Sequence, residues 1–463
     1  MPMTTPIATE ALRAAVRGPV VTPGDPEYDE MRTVYNAMID RRPAVLCRCA
    51  DAADVIEAVR FARDNGLVLA VRGGGHGIPG YAVNDGGLVV DLSAMRHVLV
   101  DPVGERALVG GGATWADVDH ATAAFGRAVP AGVISTTGVG GLTLGGGTGH
   151  LTRAFGLTCD SLVAADVVTA DGQLVHASEE SHPELFWALR GGGGNFGVVI
   201  NFEFRLHPVG TVLGGPIFYS AHEAADLLAF YRDFMHEAPT ELGAFFGFHL
   251  APPLPFLASE HHGQPVCLVA VCWPGDPEEG REVLRPLRDL PASIGDGVDE
   301  MPLPALNSGT DVLAPPGLHN YARGQFIEDL TDELIAVHTA EAHGLSVPTV
   351  SSAVHLYPVD AAAAKVAPGD TAFSHRDARY STVVAALWDD PRDTEANVRW
   401  VRHYWADLQA AAPRGGYVNF LSDDDGAVGV RATYRDNYER LAAVKLAYDP
   451  TNLFRMNQNI EPA

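Results

Sequence analysis

The spacing of apolar residues divides the chain near residue 209 into two regions of different character. In the first region the periodic segments are short. Residues 51–65 show helical periodicity, and an apolar run at 67–71 follows at once as a strand. Glycine clusters separate this strand from the next ones. This region is therefore predicted to have a backbone shaped around a ligand as much as around side-chain packing.

From residue 209 onward, longer helical segments alternate with pairs of strand-like segments. The helical segments are Glu223 to His236, Asp332 to His343 and Glu395 to Ala411, and the strand-like ones are Gly243 to Leu250, Val266 to Trp273, Val350 to Tyr357 and Arg379 to Trp388. This order predicts an α+β fold in which an antiparallel sheet carries helices on one face. The other face of that sheet is then free to cover a ligand.

Three glycine clusters stand out in the first region, at residues 72–77, 138–149 and 190–197. Glycine permits backbone angles and close approaches that a Cβ atom would forbid, and successive amide N–H groups in such loops form concave anion sites. We interpret the clusters as loops tied to strands that cradle a phosphate-bearing cofactor. The first cluster places His76 at the edge of this cradle.

The third cluster contains the G-x-G-x-x-G pattern of nicotinamide-binding folds, as Gly192-Gly-Gly194-Asn-Phe-Gly197. In such folds the glycine loop must open a helix. Here residues 198–207 alternate between apolar and polar side chains, which is typical of a strand. The pattern therefore does not indicate a nicotinamide enzyme.

Composition narrows the possible partners. A chain of 463 residues is expected to form roughly two or three domains. A formal net charge of −26 argues against binding to nucleic acid or to an anionic membrane. No signal segment or membrane-spanning apolar run is found, so we expect a cytoplasmic protein. The five cysteines lack zinc-ligand spacing and are predicted to be buried free thiols, so we expect no metal site.

The motifs together resemble the FAD-linked oxidases of the vanillyl-alcohol oxidase superfamily, in the branch of berberine bridge enzyme and 6-hydroxy-D-nicotine oxidase. The similarity covers nearly the whole chain and is specific. The matching segments are Arg72-Gly-Gly-Gly-His76-Gly77, Thr137-Gly-Val-Gly-Gly-Leu-Thr-Leu-Gly-Gly-Gly147, Gly156-Leu-Thr-Cys159-Asp160, Arg190-Gly-Gly-Gly-Gly-Asn195-Phe-Gly197, Tyr417-Val-Asn419-Phe420 and Tyr448-Asp-Pro-Thr-Asn-Leu-Phe-Arg-Met-Asn457-Gln-Asn-Ile460.

The resemblance implies a two-part FAD-binding domain of the PCMH type with a substrate domain inserted into it. The implied limits are 1–208 for the FAD-binding domain, 209–414 for the substrate domain and 415–463 for a C-terminal segment that returns to the first domain. It also implies that His76 is bonded to the 8α-methyl carbon of FAD. The residues expected to hold FAD are His76, Arg72, Gly73, Gly74, Gly75, Gly77, Thr137, Gly138, Gly140, Gly141, Gly147, Gly149, Asn195, Gly197, Val199, Tyr417, Asn419 and Asn457.

Two positions depart from the family pattern. Members with a second flavin bond have a cysteine just before the second glycine cluster, where this chain has Ile134. Because isoleucine cannot form a thioether, we expect His76 to be the only covalent link, with Cys159 a buried thiol. Plant members use a tyrosine as the catalytic base where this chain has Phe420. Either another side chain is the base, or the reaction needs no strong base.

The remaining candidates lie where polar side chains would face the flavin. On strand alternation His249 stands apart from its apolar neighbours, and His355 and Tyr357 share one side of their strand. A histidine of ordinary pKa suits a base at neutral pH. Arg323 could hold an acidic substrate or be a surface charge, and we favour the surface charge. The candidate catalytic residues are Tyr417, Tyr380, His249, His355 and Thr137, the last of which could shape an oxygen pocket.

The function expected from the resemblance is an FAD-dependent oxidase. It would oxidise a C–O or C–N bond of a small organic molecule by hydride transfer to flavin N5 and reduce O2 to H2O2. One alternative is a flavin oxygenase, of the N5-oxide type, that tailors a natural product. Another is a protein that binds flavin without turnover. The sequence leaves the substrate open, as it does the choice between monomer and homo-oligomer.

Overall fold

A computed structural model describes residues 7–342 and 351–463 of the chain. The expected segment limits His343 and Val350 lie outside the described residues. The helices are α1 (Glu10–Ala15), α2 (Tyr28–Arg32), α3 (Ala52–Asp64), α4 (Trp115–Ala123), α5 (Val139–Leu144), α6 (Thr152–Phe155), α7 (Pro183–Leu189), α8 (Ala224–Glu237), α9 (Pro277–Arg288), α10 (Leu303–Gly309), α11 (Asp332–Ala342), α12 (Thr394–Ala411), α13 (Gly426–Tyr434) and α14 (Tyr438–Tyr448).

The strands group into sheets that follow the order of the chain closely. They are β1 (Val20–Val21), β2 (Val45–Arg48), β3 (Leu69–Arg72), β4 (Leu88–Asp91), β5 (Val98–Asp101), β6 (Arg106–Gly110), β7 (Arg127–Ala128), β8 (Leu162–Val168), β9 (Leu174–Ser178), β10 (Val198–Arg205), β11 (His207–Pro208), β12 (Thr211–Ser220), β13 (Gly243–Leu250), β14 (Pro265–Trp273), β15 (Ser293–Asp296), β16 (Asp299–Pro302), β17 (His319–Ile327), β18 (Ser351–Pro358) and β19 (Tyr380–Trp388).

The first sheet has the order β1-β2-β4-β3, with β2, β4 and β3 parallel. Helix α3 packs on it through a buried face that includes Val55, Val59 and Ala62. The Asp51 side chain caps the helix by accepting hydrogen bonds from two backbone N–H groups of its first turn. The helix and strand predicted around the first glycine cluster are confirmed.

The second sheet is antiparallel, with the order β5-β6-β10-β8-β9. Its central strand, β10, begins directly after Gly197. The strand predicted after the third glycine cluster is thus confirmed, and this loop does not open a helix. The second cluster differs from its prediction, because it contains the short helix α5. Val139, Thr143 and Leu144 are buried there. Their helical spacing is a weak signal because these few residues lie among many glycines.

The third sheet is the largest and is antiparallel, in the order β15-β12-β14-β13-β18-β19-β17, with β16 also paired to β12. One face packs against α8, α9, α11 and α12 through the largest hydrophobic cluster of the described residues. The opposite face carries a separate, smaller cluster that includes Phe218, Phe245 and Tyr357. The predicted sheet with helices on one face is confirmed, and its other face looks toward the glycine loops.

The C-terminal segment makes buried polar contacts with the first region. The Asn195 side chain accepts a hydrogen bond from the Ile460 N–H (2.9 Å) and donates one to the Gln458 carbonyl (3.2 Å). Lys445 is fully buried and pairs with Asp449 at 2.6 Å. Its ammonium also donates to the carbonyls of Asn195 and Phe454, which satisfies the buried charge.

None of the helices in the described part of the chain is long and apolar enough to cross a membrane.

A buried carboxyl group joins the first region to the third sheet. Asp119 on α4 is 3% exposed and accepts a hydrogen bond from the Asn307 side chain on α10 at 2.8 Å. Its second oxygen, Oδ1, has no hydrogen-bond partner. Burial raises the pKa of Asp119 to about 6, because the ionised form loses its hydration.

The Asp119 carboxyl should make stability depend on pH. Its pKa is raised in the folded state, so ionisation costs stability progressively as pH rises from the unfolded pKa to about 6. Asp119→Asn keeps an acceptor for Asn307 and removes the charge. We expect a gain in unfolding free energy of about 3 kcal/mol at pH 7.5, falling to about 1 kcal/mol at pH 4.5.

Urea denaturation of wild type and variant at both pH values measures this difference. Asp226→Asn, at an exposed position of α8, is the matched control and should change little at either pH. An Asp119→Asn variant that is less stable than wild type at pH 7.5 would contradict the assignment.

Candidate active site

A cavity of about 690 Å³ lies between the glycine loops, the C-terminal segment and the helix-free face of the third sheet. His76 and Thr137 belong to its first wall, and Asn419 and Asn457 to the wall formed by the C-terminal segment. His355 belongs to the sheet face opposite them. The glycine loops, the C-terminal segment and the third sheet therefore meet at one cavity.

The first two glycine clusters contact each other backbone to backbone. A Cβ atom on Gly74 would lie 2.5 Å from the Gly138 nitrogen, and a Cβ atom on Gly138 would lie 2.4 Å from the Gly74 nitrogen. Only glycine fits at both positions, because such distances are far below van der Waals contact. This approach sets the width of the cradle beside His76.

The His76 ring is held on the cavity wall by stacking. Its centroid lies 3.8 Å from that of Tyr35, with an interplanar angle of 21°. Thr136 Oγ1 lies 3.4 Å from His76 Nε2. Desolvation lowers the pKa of His76 to about 4, so the imidazole is neutral at pH 7. A neutral imidazole on a fixed ring plane is the form that can act as a nucleophile.

The wall of the cavity fits a dinucleotide held by backbone groups. Among the described residues that line it, none is Asp, Glu, Lys or Arg. The chain there is rich in glycine, so its amide N–H groups are accessible to a pyrophosphate. Asn457 faces the cavity with a buried side-chain oxygen that has no partner in the protein, which suits a donor group on a bound ligand. FAD fits this combination of backbone N–H donors and a side-chain oxygen acceptor.

Most residues expected to hold FAD lie on this wall. These are His76, Gly73, Gly74, Gly75, Gly77, Thr137, Gly138, Gly140, Gly141, Asn195, Gly197, Val199, Tyr417, Asn419 and Asn457. Arg72, Gly147 and Gly149 are not part of the lining.

Arg72 supports the first glycine loop from behind. Its guanidinium pairs with buried Asp91 at 2.7 Å, directly opposite in the parallel register of β3 and β4. It also donates to the backbone carbonyls of Met31 and Thr33. These contacts hold Arg72 against the protein next to the first glycine loop, and its side chain does not line the cavity.

Packing leaves no space for a side chain at Gly147 or Gly149. A Cβ atom on Gly147 would lie 2.2 Å from Thr158 Oγ1, and one on Gly149 would lie 1.9 Å from the Ala131 carbonyl oxygen. The Gly147 N–H donates to the Tyr417 hydroxyl oxygen at 2.8 Å. These two glycines therefore connect the second cluster to its surroundings.

The Tyr417 hydroxyl lies at the edge of the cavity but is already engaged. It accepts hydrogen bonds from the Gly147 N–H and, at 2.9 Å, from Asn419 Nδ2. The side chain is 2% exposed, and burial raises its pKa. These contacts indicate that Tyr417 joins the C-terminal segment to the second glycine cluster.

Tyr380 lies on the other face of the third sheet. It packs in the helix-side cluster, with its ring centroid 6.1 Å from that of Tyr231. Strand alternation explains this placement, because Val383 and Ala385 on the same strand line the cavity and an even-numbered residue points away from it. The structure therefore does not bring Tyr380 to the other candidates.

Arg323 was expected on the surface, and that expectation is wrong. Its side chain is buried and its guanidinium lies 3.9 Å from the centre of the Trp405 ring. It also pairs with Asp424 and Asp425 of the C-terminal segment. Arg323 thus connects strand β17 to that segment and does not line the cavity.

His249 and His355 do meet at the cavity, and they form a hydrogen-bonded array with Tyr357. His249 Nε2 lies 2.6 Å from His355 Nε2, and His355 Nδ1 lies 2.5 Å from the Tyr357 hydroxyl oxygen. Gly247 is opposite His355 in the register of β13 and β18. A Cβ atom there would lie 3.0 Å from the His355 ring and 3.1 Å from the His249 ring, so this glycine makes room for both imidazoles.

Two further polar side chains of the wall, Tyr357 and His150, are not among the predicted catalytic residues. Tyr357 was placed on the correct strand face but was not chosen, although its alternation with His355 was a sufficient signal. His150 follows the second glycine cluster and lines the cavity, with its ring 5.6 Å from that of Phe245. Its Nε2 atom is buried and has no partner. Nothing in its local sequence indicates this position.

The two positions that depart from the family pattern both face the cavity. Ile134 and Phe420 are among its lining residues. The Phe420 ring lies between two tyrosines, with its centroid 5.0 Å from that of Tyr417 and 6.3 Å from that of Tyr357. The cysteines, including Cys159, are buried and free, as predicted.

Comparison with known proteins agrees with this arrangement. A family model described as an FAD binding domain matches residues 43–178, and one described as berberine and berberine-like matches residues 416–461. An uncharacterised FAD-linked oxidoreductase of Bacillus subtilis, YgaK, is 33% identical over 97% of this chain and 98% of its own length.

An enzyme with a named activity and a solved structure are also similar along the whole length. The (R)-6-hydroxynicotine oxidase of Paenarthrobacter nicotinovorans is 31% identical over 97% of both proteins. The crystal structure of 6-hydroxy-D-nicotine oxidase from Arthrobacter nicotinovorans matches with a TM-score of 0.87 at 31% identity, over 97% of this chain and 98% of that one.

The close approach of the two glycine loops should be essential for cofactor binding. In Gly74→Ala the new methyl group would meet the backbone of Gly138, so the loops must separate. We expect a lower melting temperature and a loss of most bound flavin, measured by the ratio of visible to ultraviolet absorbance after purification. Gly369→Ala, where a Cβ atom meets nothing within 4 Å, is the control. Full flavin content in Gly74→Ala would contradict this account of the cradle.

Proposed function

The chain belongs to the berberine and berberine-like family of FAD-linked oxidoreductases, and from this premise we propose that it is an oxidase whose FAD is bonded to His76 alone. The observation that carries the proposal is the position of His76. Its ring lies on the wall of the one cavity around which the glycine loops and the C-terminal segment of the described chain gather. Tyr35 fixes the plane of that ring.

The single covalent link follows from what faces the cavity beside His76. Ile134 presents hydrocarbon where a second link would need a thiol. Cys159 is buried and is not among the lining residues, and burial raises its pKa, which keeps the thiol protonated and unreactive. In this proposal His76 is therefore the one residue that bonds to the flavin.

Different residues of the wall would bind different parts of the cofactor. Backbone N–H groups of the glycine loops would bind the pyrophosphate, and Asn457 would accept a hydrogen bond from the cofactor. When bound, FAD would take a hydride from a C–O or C–N carbon of a small organic substrate and pass electrons to O2 to give H2O2. Thr137 lies on the same wall, where it can shape the space open to oxygen.

Acid precipitation of the purified protein tests the covalent link. The wild-type pellet should stay yellow, and its intact mass should include one FAD. In His76→Ala the colour should move to the supernatant. His150→Ala removes another buried histidine of the same cavity and should keep the cofactor bonded. Release of all wild-type flavin would exclude covalent attachment, and bonded flavin in His76→Ala would exclude His76 as the only site.

The products of turnover distinguish an oxidase from a flavin oxygenase and from a protein that binds flavin without turnover. With a panel of alcohols, sugars and amines, we expect H2O2 to form in equal amount to the oxidised product, because the electrons leave on oxygen. No label from ¹⁸O2 should enter that product. Labelled product would indicate an oxygenase instead. Failure of every compound to reduce the flavin would indicate a protein that binds flavin without turnover.

A further inference from the structure

The His249–His355–Tyr357 array has the form of a proton relay. His249 and Tyr357 are buried, His355 is half-buried, and all three line the cavity. In one neutral arrangement the Tyr357 hydroxyl donates to His355 Nδ1, and the His355 Nε2–H donates to His249 Nε2. The Tyr357 oxygen then has lone pairs free to accept a hydrogen bond from a ligand. In the reverse arrangement the same hydroxyl would donate to the ligand.

The array sits in an aromatic frame that fixes its geometry. The Phe245 ring lies 5.0 Å from that of His355 and 5.1 Å from that of Tyr357, measured between centroids. The Tyr357 ring also packs beside that of Phe420, with 6.3 Å between their centroids.

Beyond the array, the sheet-side wall of the cavity is apolar except for Asn320, and His150 lies on the facing wall. Its sheet-side lining includes Phe218, Phe245, Phe256, Leu254, Leu268, Val383 and Leu387. As noted above, no charged side chain lines any described part of the wall. An ammonium or carboxylate group bound there would lose its hydration without an opposite charge, which is costly. An uncharged ligand avoids this cost.

We propose that Tyr357, His355 and His249 accept the hydroxyl proton of an uncharged, largely apolar alcohol, and that such alcohols are the substrate class of this site. The proposal rests on the oxidase function proposed above. Tyr357 is then the catalytic residue, since its oxygen contacts the substrate hydroxyl. His355 and His249 act through it as positioning residues.

The proton transfer balances within the array. The substrate O–H bond breaks and its proton passes to the Tyr357 oxygen, while the Tyr357 proton moves to His355 Nδ1. The proton on His355 Nε2 moves to His249 Nε2, so the net change is one proton lost by the alcohol and one gained by His249. The carbinol C–H bond breaks with its electron pair going to the flavin, the two-electron oxidant of the proposed reaction.

Both imidazoles are neutral in the resting site, so each has one unprotonated ring nitrogen, although neither keeps the ordinary pKa expected from the sequence. Burial lowers the pKa of His249 to about 4 and that of His355 well below its ordinary value, so both are neutral at pH 7. The other titratable side chains that line the described cavity are His76, His150, Tyr35, Tyr81 and Tyr417. None of these adds a negative charge at neutral pH that would favour a bound cation.

Three probes with one skeleton test the proposal by binding rather than by turnover. They are 2-(naphthalen-2-yl)propan-2-ol, its methyl ether, and the corresponding amine, which is an ammonium ion at pH 7.5. None has a hydrogen on the functional carbon, so none can be oxidised there. Calorimetry with the wild-type holoenzyme should show the alcohol binding roughly 3- to 10-fold more tightly than the ether. The ammonium should bind most weakly.

Variants distinguish the effect of the relay on binding from an effect of packing. In Tyr357→Phe the preference for alcohol over ether should disappear. In His355→Phe the freed Tyr357 hydroxyl can donate to the ether oxygen, so the preference should vanish or reverse, which loss of packing alone would not cause. Tyr380→Phe is the matched control, because this buried hydroxyl lies on the opposite face of the sheet and has no partner. It should keep the wild-type ratio.

Each contrary result overturns a stated part of the proposal. An unchanged ratio in Tyr357→Phe or His355→Phe would exclude the relay. Ammonium binding as tight as that of the alcohol, or no binding of any probe, would exclude the substrate class. These outcomes are distinct from failure of the proposed function, which is measured by the colour of the acid precipitate and by peroxide formation.

Discussion

The contact between Gly74 and Gly138 is the constraint on which the site depends. Two glycine loops from different parts of the chain approach so closely that a single methyl group on either would meet the backbone of the other. Arg72 and Asp91 hold the first loop from behind, and Tyr417 and Asn419 hold the second. These contacts therefore hold both loops in place at the point where His76 faces the cavity.

The third sheet completes the site because its two faces have different partners. Helices cover one face and bury the larger hydrophobic cluster, whereas the other face closes the cavity. Alternation along each strand then decides which side chains can meet a ligand. His355 and Tyr357 face the cavity through this alternation, and Tyr380 faces the helices through the same rule. Gly247 gives the two histidines the space to contact each other.

The features that could be predicted from the sequence are those with a local or repeating signal. The glycine loops, the strand after Gly197, the two-faced sheet and the cavity position of His76 all follow from periodicity or from the motifs of the family. Helix α5 was missed because its buried residues are few and lie among glycines. Tyr380 was predicted to face the flavin, but alternation along its strand places it on the helix side of the sheet.

Other roles depend on contacts between distant parts of the chain, which no local pattern records. Arg323 is buried because Asp424 and Asp425, about a hundred residues away, neutralise it and Trp405 covers it. The Tyr417 hydroxyl is engaged because the chain brings Gly147 to it. His150 faces the cavity only because the third sheet lies over the second glycine cluster. These partners become visible only in the folded protein.

The central claim is that FAD is bonded to His76 and to no other residue, and peptide mapping tests it most directly. Trypsin digestion of the acid-denatured holoenzyme would cut after Arg72 and Arg96, so that His76 lies in a peptide spanning residues 73–96. All flavin fluorescence and the FAD mass should be found on that peptide. Flavin on the peptide 128–153, which contains Ile134, or on 154–190, which contains Cys159, would contradict the account, as would flavin on no peptide.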